Sequence, residues 1–345
     1  MESKAVYLTE LGKMEFRDIP VPQIDSNEVL VKMEAVGICG SDLHYYSHGK
    51  IGDFIVEFPF ILGHECAGTI VKIGEKVEHL KVGDRVALEP GIPCGECEFC
   101  LSGQYNLCPD VKFFATPPYD GCLQNYVKHK ASFAFKLPDN VSSIEGALVE
   151  PLAIGINAAR TGGVALGDSV VIFGAGCIGL VTLLASKASG ADQVIVVDLI
   201  DKRLEIAESM GATTINAKQK NVVDEVLALT QGKGARVVID CAGNNTTIAQ
   251  TVQVAKAGGN IVWVGMATDE INGMPLGPVS TKELTIKSIF RYKNLYPTTI
   301  AAISSGKIDI KGIVSNKFKF EDTPVAFRES YTNVKNIVKS IIVFD

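Results

Sequence analysis

The sequence predicts an α/β chain of two parts, in which a doubly wound parallel sheet is inserted into a β-rich domain. Three observations predict it. Up to residue 149 the chain carries short strand-like segments broken by glycine turns. Over 150–290 apolar strands alternate with helical stretches. From Tyr296 onward that beat is lost and the chain ends in an apolar strand, Ile341-Ile342-Val343-Phe344, so that 291–345 is expected to return to the first domain. A chain of 345 residues also exceeds what one hydrophobic core usually serves.

In the first part, Glu28–Met33 and Gly68–Ile73 alternate or are β-branched, and Gly83-Asp84 reads as a turn into a strand ending at Leu88. Short strands with frequent turns suggest a small barrel or sandwich. In the second part, strands are expected at Val170–Phe173, Gln193–Val197, Thr213–Ile215, Arg236–Ile239, Asn260–Val264 and Leu284–Phe290. Helices fill Ile178–Ser189, Asp201–Met210, Val222–Leu229 and Thr247–Ala255, the alternation of a doubly wound sheet.

Composition excludes several classes. A net charge of −6 gives no general electrostatic reason to bind nucleic acid. No apolar run approaches the roughly 20 residues of a membrane helix. Met1-Glu2-Ser3-Lys4 leads straight into a strand-like segment without the apolar core of a signal peptide, so a cytosolic location is expected. Nine cysteines, four of them between Cys94 and Cys108, argue for metal rather than a disulfide framework in that compartment.

Gly174-Ala175-Gly176-Cys177-Ile178-Gly179 is a G-x-G-x-x-G that follows an apolar strand and opens a helix, the context that makes it a dinucleotide signature. Gly174 permits the tight turn, Gly176 admits a pyrophosphate and Gly179 lets the helix pack on the strand. The phosphates would meet the helix N-terminus, where free N–H groups and the dipole favour negative charge. Asp198 ends the next strand and would accept hydrogen bonds from ribose hydroxyls while repelling a 2′-phosphate, which favours NAD over NADP. Arg203 is the counter-signal, because an arginine there can pair with a phosphate.

Cys94-x-x-Cys97-x-x-Cys100-x7-Cys108 suits a closed tetrahedral Zn²⁺ site, with Gly91, Pro93, Gly95 and Gly103 letting the 91–110 lobe wrap around an ion. Four thiolates leave no position for a substrate, so this site is read as structural. A second set is scattered: Cys39, His64, Glu65 and, far along the chain, Glu150. Thiolate, imidazole and carboxylate make a three-ligand set with an open fourth position, as a catalytic zinc requires. Spacing alone does not select these residues over ordinary packing and surface roles.

Those residues resemble a family pattern. Gly37–His44, Gly63–Gly68, the Cys94–Cys108 lobe, Glu150-Pro151 and Gly174–Gly179 are similar, in order and over essentially the whole chain, to the zinc-containing medium-chain dehydrogenases. Phe113-Phe114-Ala115-Thr116-Pro117-Pro118, Tyr45 and Phe290-Arg291-Tyr292 resemble the sorbitol (polyol) dehydrogenases within them. The resemblance implies a GroES-like catalytic domain, a Rossmann domain with the active-site zinc in the cleft between them, and a homotetramer, with a dimer as the alternative. It implies two zinc ions per chain and NAD, and NAD-linked oxidation of a polyol secondary alcohol to the ketose. Cys39, His64 and Glu65 carry over as zinc ligands; Glu150 carries over as a residue held to the metal through water or exchanging with Glu65. Tyr45, Phe113, Thr116, Glu150, Arg291 and Tyr292 carry over as substrate contacts. Ile178, Asp198, Arg203, Val264, Met266, Ile289 and Arg291 carry over as cofactor contacts beside Gly174, Gly176 and Gly179. Ser41 would receive the substrate proton and His44 would pass it to solvent, since an imidazole titrates near neutral pH.

The chain keeps the four-cysteine lobe that some animal sorbitol dehydrogenases lack. It departs from the family at Tyr119 and Cys122, just beyond Pro118. The alternatives are a zinc dehydrogenase for butanediol or threonine, and a non-catalytic binding protein of the same fold. Threonine enzymes usually carry Asp-Pro where this chain has Glu150-Pro151. A non-catalytic relative would show broken ligands or a broken glycine motif, and neither is broken here.

Overall fold

The computed structural model describes residues 3–266, 270–271 and 273–345. Two units emerge, both discontinuous in sequence. The first comprises 1–150, 296–305 and 314–345; the second comprises 151–295 and 306–313. The return to the first unit therefore starts at Tyr296 rather than 291, Glu150 belongs to the first unit, and Gly306–Ile313 goes back to the second.

The first unit is built on a seven-stranded sheet. Its order is Ala134–Lys136, Arg85–Leu88, Glu65–Ile73, Glu28–Gly37, Lys339–Val343 and Val314–Lys319, with Tyr126–Lys130 also paired to Glu28–Gly37. All pairs are antiparallel except the last, which is parallel. A smaller sheet joins Ser3–Glu10 to Lys13–Ile19 and Phe60–Ile61. The apolar sets buried here include Leu8, Met33, Ile70, Leu88, Leu123, Phe327 and Ile342. Each such side chain contributes about 1.5–3 kcal/mol by leaving water. The last strand is thus in the middle of the sheet: Ile341 pairs with Gly37 on one side, and its other neighbour is the strand Val314–Lys319.

In the second unit six parallel strands run in the order Thr213–Asn216, Gln193–Asp198, Ser169–Phe173, Ala235–Asp240, Ala255–Trp263 and Thr285–Ser288. Val170–Phe173 and Val237–Ile239 are wholly buried. Their uninterrupted apolar runs follow from having helices on both faces, as parallel sheets do. The expected fold class is borne out, with the strand order of a doubly wound dinucleotide fold. The last strand is shorter than Leu284–Phe290: it ends at Ser288, the Ile289 N–H makes the last bond to the neighbouring strand, and Arg291 follows at φ +56°.

Candidate functional site

The cysteine that precedes the first helix begins the buried site. Cys39 is the N-cap of the helix Gly40–His48. Three residues on, Asp42 turns its carboxylate back to accept from the Cys39 N–H at 3.0 Å. The other oxygen of Asp42 accepts from the Gly63 N–H at 3.0 Å and lies 3.5 Å from Nδ1 of His64. One fully buried carboxylate thereby fixes the backbone on both sides of the site and orients the imidazole, leaving Nε2 of His64 free to act as a ligand. Burial pushes the Asp42 carboxyl up, but His64 and the two backbone donors outweigh it and hold it below its ordinary value. Burial works against a charged His64, and Asp42 and Cys39 together raise it well above the usual imidazole range.

Glu65 opens the strand Glu65–Ile73 and is completely buried. The structure brings one ligand atom each from Cys39, His64 and Glu65 within 4.8 Å of one another. Glu150, in the first turn of the helix Val149–Gly162, is not part of that cluster. Its charge acts instead on Glu89. Burial raises Glu89, the Tyr105 hydroxyl that donates to it at 2.6 Å lowers it, and Glu150 raises it, which together leave it pushed up to about 7. Phe113 stacks obliquely against His64, with ring centroids 5.8 Å apart. Thr116 follows in the next turn and is half-buried. Ser41 is half-buried, His44 is exposed, and Tyr45 is buried against Phe60.

The second cluster comprises Cys94, Cys97, Cys100 and Cys108, whose sulfurs all lie within 4.8 Å of one another. Two of the separations are 3.4 Å (Cys97 to Cys100) and 3.8 Å (Cys94 to Cys100). Four sulfurs at a zinc–sulfur distance of about 2.3 Å sit roughly 3.8 Å apart in a tetrahedron, so this cage fits zinc. In the smaller cluster the donors are one thiolate, one oriented imidazole and one carboxylate, also a zinc set.

In the second unit, Gly174 turns the chain at φ +96° between the strand Ser169–Phe173 and the helix Cys177–Ala188. A Cβ on Gly179 would stand 1.8 Å from the Gly174 carbonyl oxygen, so only glycine lets the helix close on the turn. Gly176 is the N-cap and has no side chain to cap the helix, which leaves its first-turn N–H groups for an anion. The Arg203 guanidinium lies 3.9 Å from where a Gly176 Cβ would be. Asp198 accepts from Ala175 N at 2.6 Å, Leu199 N at 2.7 Å and Ile200 N at 3.0 Å. Its carboxylate thus organises the turn as well as presenting acceptors, with about four lone-pair sites in all. Ile178 is half-buried in the helix. Val264 N donates to Asp240 O at 2.8 Å, Ile289 N donates to Trp263 O at 3.2 Å, and Met266 is exposed. Arg291 stacks on Phe290 with its guanidinium 4.8 Å from the ring centroid, and Tyr292 is buried.

Residues that sequence reasoning missed include Asp42, Glu89, Tyr105 and Lys339. The first carried a signal: Cys39-x-x-Asp42 is a capping-box spacing with cysteine at the cap. The others become neighbours only through the fold.

The model for the alcohol dehydrogenase GroES-like domain matches residues 25–139, and that for zinc-binding dehydrogenase matches 177–305. Sorbitol dehydrogenase from Bos taurus is 46% identical over 92% of this chain and 90% of its own. An oxidoreductase/dehydrogenase of unknown specificity from Escherichia coli superposes with a TM-score of 0.96 at 42% identity, covering 100% of both chains. Two further structures superpose at TM-score 0.92 over 99% of each chain. One, a zinc-binding dehydrogenase from Sinorhizobium meliloti bound to NADP, is 29% identical; the other, a short chain alcohol dehydrogenase from Escherichia coli CFT073 complexed with NADH, is 30% identical.

Proposed function

Because this chain belongs to the zinc-containing medium-chain dehydrogenase family, we propose that it oxidises the secondary alcohol of a polyol to a ketose with NAD, reversibly. The observation that carries the reading is the buried convergence of Cys39, His64 and Glu65 in a chain this similar to sorbitol dehydrogenase. These three residues would hold a catalytic zinc, and Cys94, Cys97, Cys100 and Cys108 a structural one. Zinc held by Cys39, His64 and Glu65 would supply Lewis acidity at the substrate oxygen, and a nicotinamide cofactor held at the Gly174–Gly179 turn would supply the hydride acceptor.

The chain's own residues do the rest. Asp42 keeps His64 in its ligand tautomer, and Phe113 screens the imidazole from water. Ser41, on the helix that follows Cys39, takes the substrate proton; His44, three residues on and exposed, delivers it to solvent. Tyr45 and Thr116 are assigned to the substrate hydroxyls, and the family resemblance adds Arg291 and Tyr292 to that role. Glu150 is assigned to the substrate side of the metal, and Glu65 is the direct carboxylate ligand. The preference for NAD is assigned to Asp198, whose negative charge opposes a 2′-phosphate.

A panel of sorbitol, xylitol, ribitol, galactitol, butanediol and threonine with NAD tests the proposal. Turnover concentrated on the polyols is expected. Turnover of butanediol or threonine alone would replace the substrate assignment, and no turnover of any would leave only a binding role. In the same assay, Asp198→Ala is expected to raise the NADP-to-NAD activity ratio.

A further inference from the structure

The last strand of the chain reaches into the buried ligand cluster. Lys339, 2% exposed, places Nζ 2.7 Å from both Oε1 and Oε2 of Glu65. The same ammonium donates to the Ile38 carbonyl oxygen at 3.0 Å, one residue before Cys39. An ammonium has three donors, and these are three acceptors in reach. The contact crosses a strand. Glu65 and Ile341 are the partners of Gly37 on opposite sides of it. A Cβ at position 37 would lie 2.1 Å from Glu65 Oε2, so the glycine leaves the space in which lysine and carboxylate meet.

A buried ion pair contributes little net stability, because desolvation offsets attraction. What this pair does provide is a fixed carboxylate. We propose that Lys339 is a positioning residue for the buried metal site: its ammonium occupies the chelating edge between the two oxygens of Glu65, so that Glu65 offers the ion a single oxygen from outside that edge, and it ties that carboxylate to the backbone leading into Cys39. The inference rests on reading Cys39, His64 and Glu65 as a metal site. It adds that the third ligand's denticity is set from the C-terminal strand.

The test is ¹¹³Cd NMR of the full-length protein loaded with cadmium, in which sulfur donors move a resonance downfield and oxygen donors upfield. Two resonances are expected, with the four-thiolate signal as internal control. In Lys339→Met, Glu65 is released to chelate through both oxygens, so the buried-site resonance moves upfield while the thiolate resonance stays. A folded Lys339→Met protein with both resonances unmoved, or with both moved together, would overturn the proposal. Should that variant not fold, the pair Glu65→Gln and Glu65→Gln/Lys339→Met decides, because the double variant holds no unpaired buried charge and in the single variant the ammonium can shed a proton to become neutral and keeps the Ile38 carbonyl as acceptor. If Lys339 acts only through Glu65, the two share one buried-site shift, whereas different shifts refute it. A wild-type spectrum with the thiolate resonance alone would sink the metal-site reading itself, an outcome distinct from an unresponsive second resonance.

Discussion

Asp42 shares two oxygens among the Cys39 N–H, the Gly63 N–H and His64. All three present donors, so an amide in place of the carboxylate must turn its own NH₂ toward at least one of them. Asp42→Asn is therefore expected to weaken zinc binding at the buried cluster by about 10–100-fold, the usual cost of losing a partner behind a metal ligand. Retention at the four-cysteine site should not change. Isothermal titration of the metal-free protein measures both sites, and equal weakening of the two would refute the role. At this scale the sequence was an uneven guide. The four cysteines are legible because a closed thiolate cage is a local pattern, 15 residues long. Cys39, His64 and Glu65 needed the family resemblance, since nothing local distinguishes a lone cysteine and a His-Glu pair from packing. Lys339 was out of reach: 274 residues separate it from Glu65, and an apolar terminal strand gives no hint that its first residue points into a site.

Elements were easier to read than residues, because hydrophobic period reports burial directly. Runs such as Val170–Phe173 must be covered on both faces, and the parallel sheet does so. Boundaries moved where backbone geometry overrode pattern, as where Arg291 at φ +56° follows the early end of the last parallel strand. The strand Tyr126–Lys130 carries a consequence that pattern does not show. His129, 1% exposed, is bonded through Nε2 to the Glu89 carbonyl oxygen at 2.8 Å and packs on Phe114. Burial, only partly offset by the Glu89 carbonyl, holds it down at about 4. In the unfolded chain an imidazole takes up its proton near pH 6.5; in the folded chain it does so only near pH 4. Between these values the unfolded state binds more protons, so stability is lost as pH falls through that window, by about 3 kcal/mol from this residue. His129→Gln should flatten that slope in urea unfolding followed across the window. An unchanged slope would mean that the imidazole titrates normally.

For the whole molecule, the two clusters sit in one unit but differ in setting. Cys94 is exposed and the cage rides on a short loop, with Gly95 and Gly103 at φ +85° and +72°. Glu65 is buried at the start of a strand of the main sheet and His64 is buried directly before it, and that sheet stands without the ion because its strands pair independently of the ligand side chains. A closed cage on a loop whose Leu101 and Leu107 are exposed owes much of its order to the metal, so losing the ion amounts to local unfolding. Tyr105, between Cys100 and Cys108, donates to the buried Glu89 and ties this loop to the sheet. Treating the fully loaded protein with a chelator is therefore expected to release zinc in two phases. Loss of the cage ion should lower the thermal midpoint and open the chain to protease between Cys94 and Cys108. Loss of the buried ion should abolish turnover with little change in midpoint. Cys97→Ser isolates the first effect: one zinc per chain, a lower midpoint and a protease-sensitive lobe, with the second zinc retained. If that variant loses both ions together, or if chelation removes stability and turnover in a single phase, the two clusters do not act as separate structural and catalytic sites.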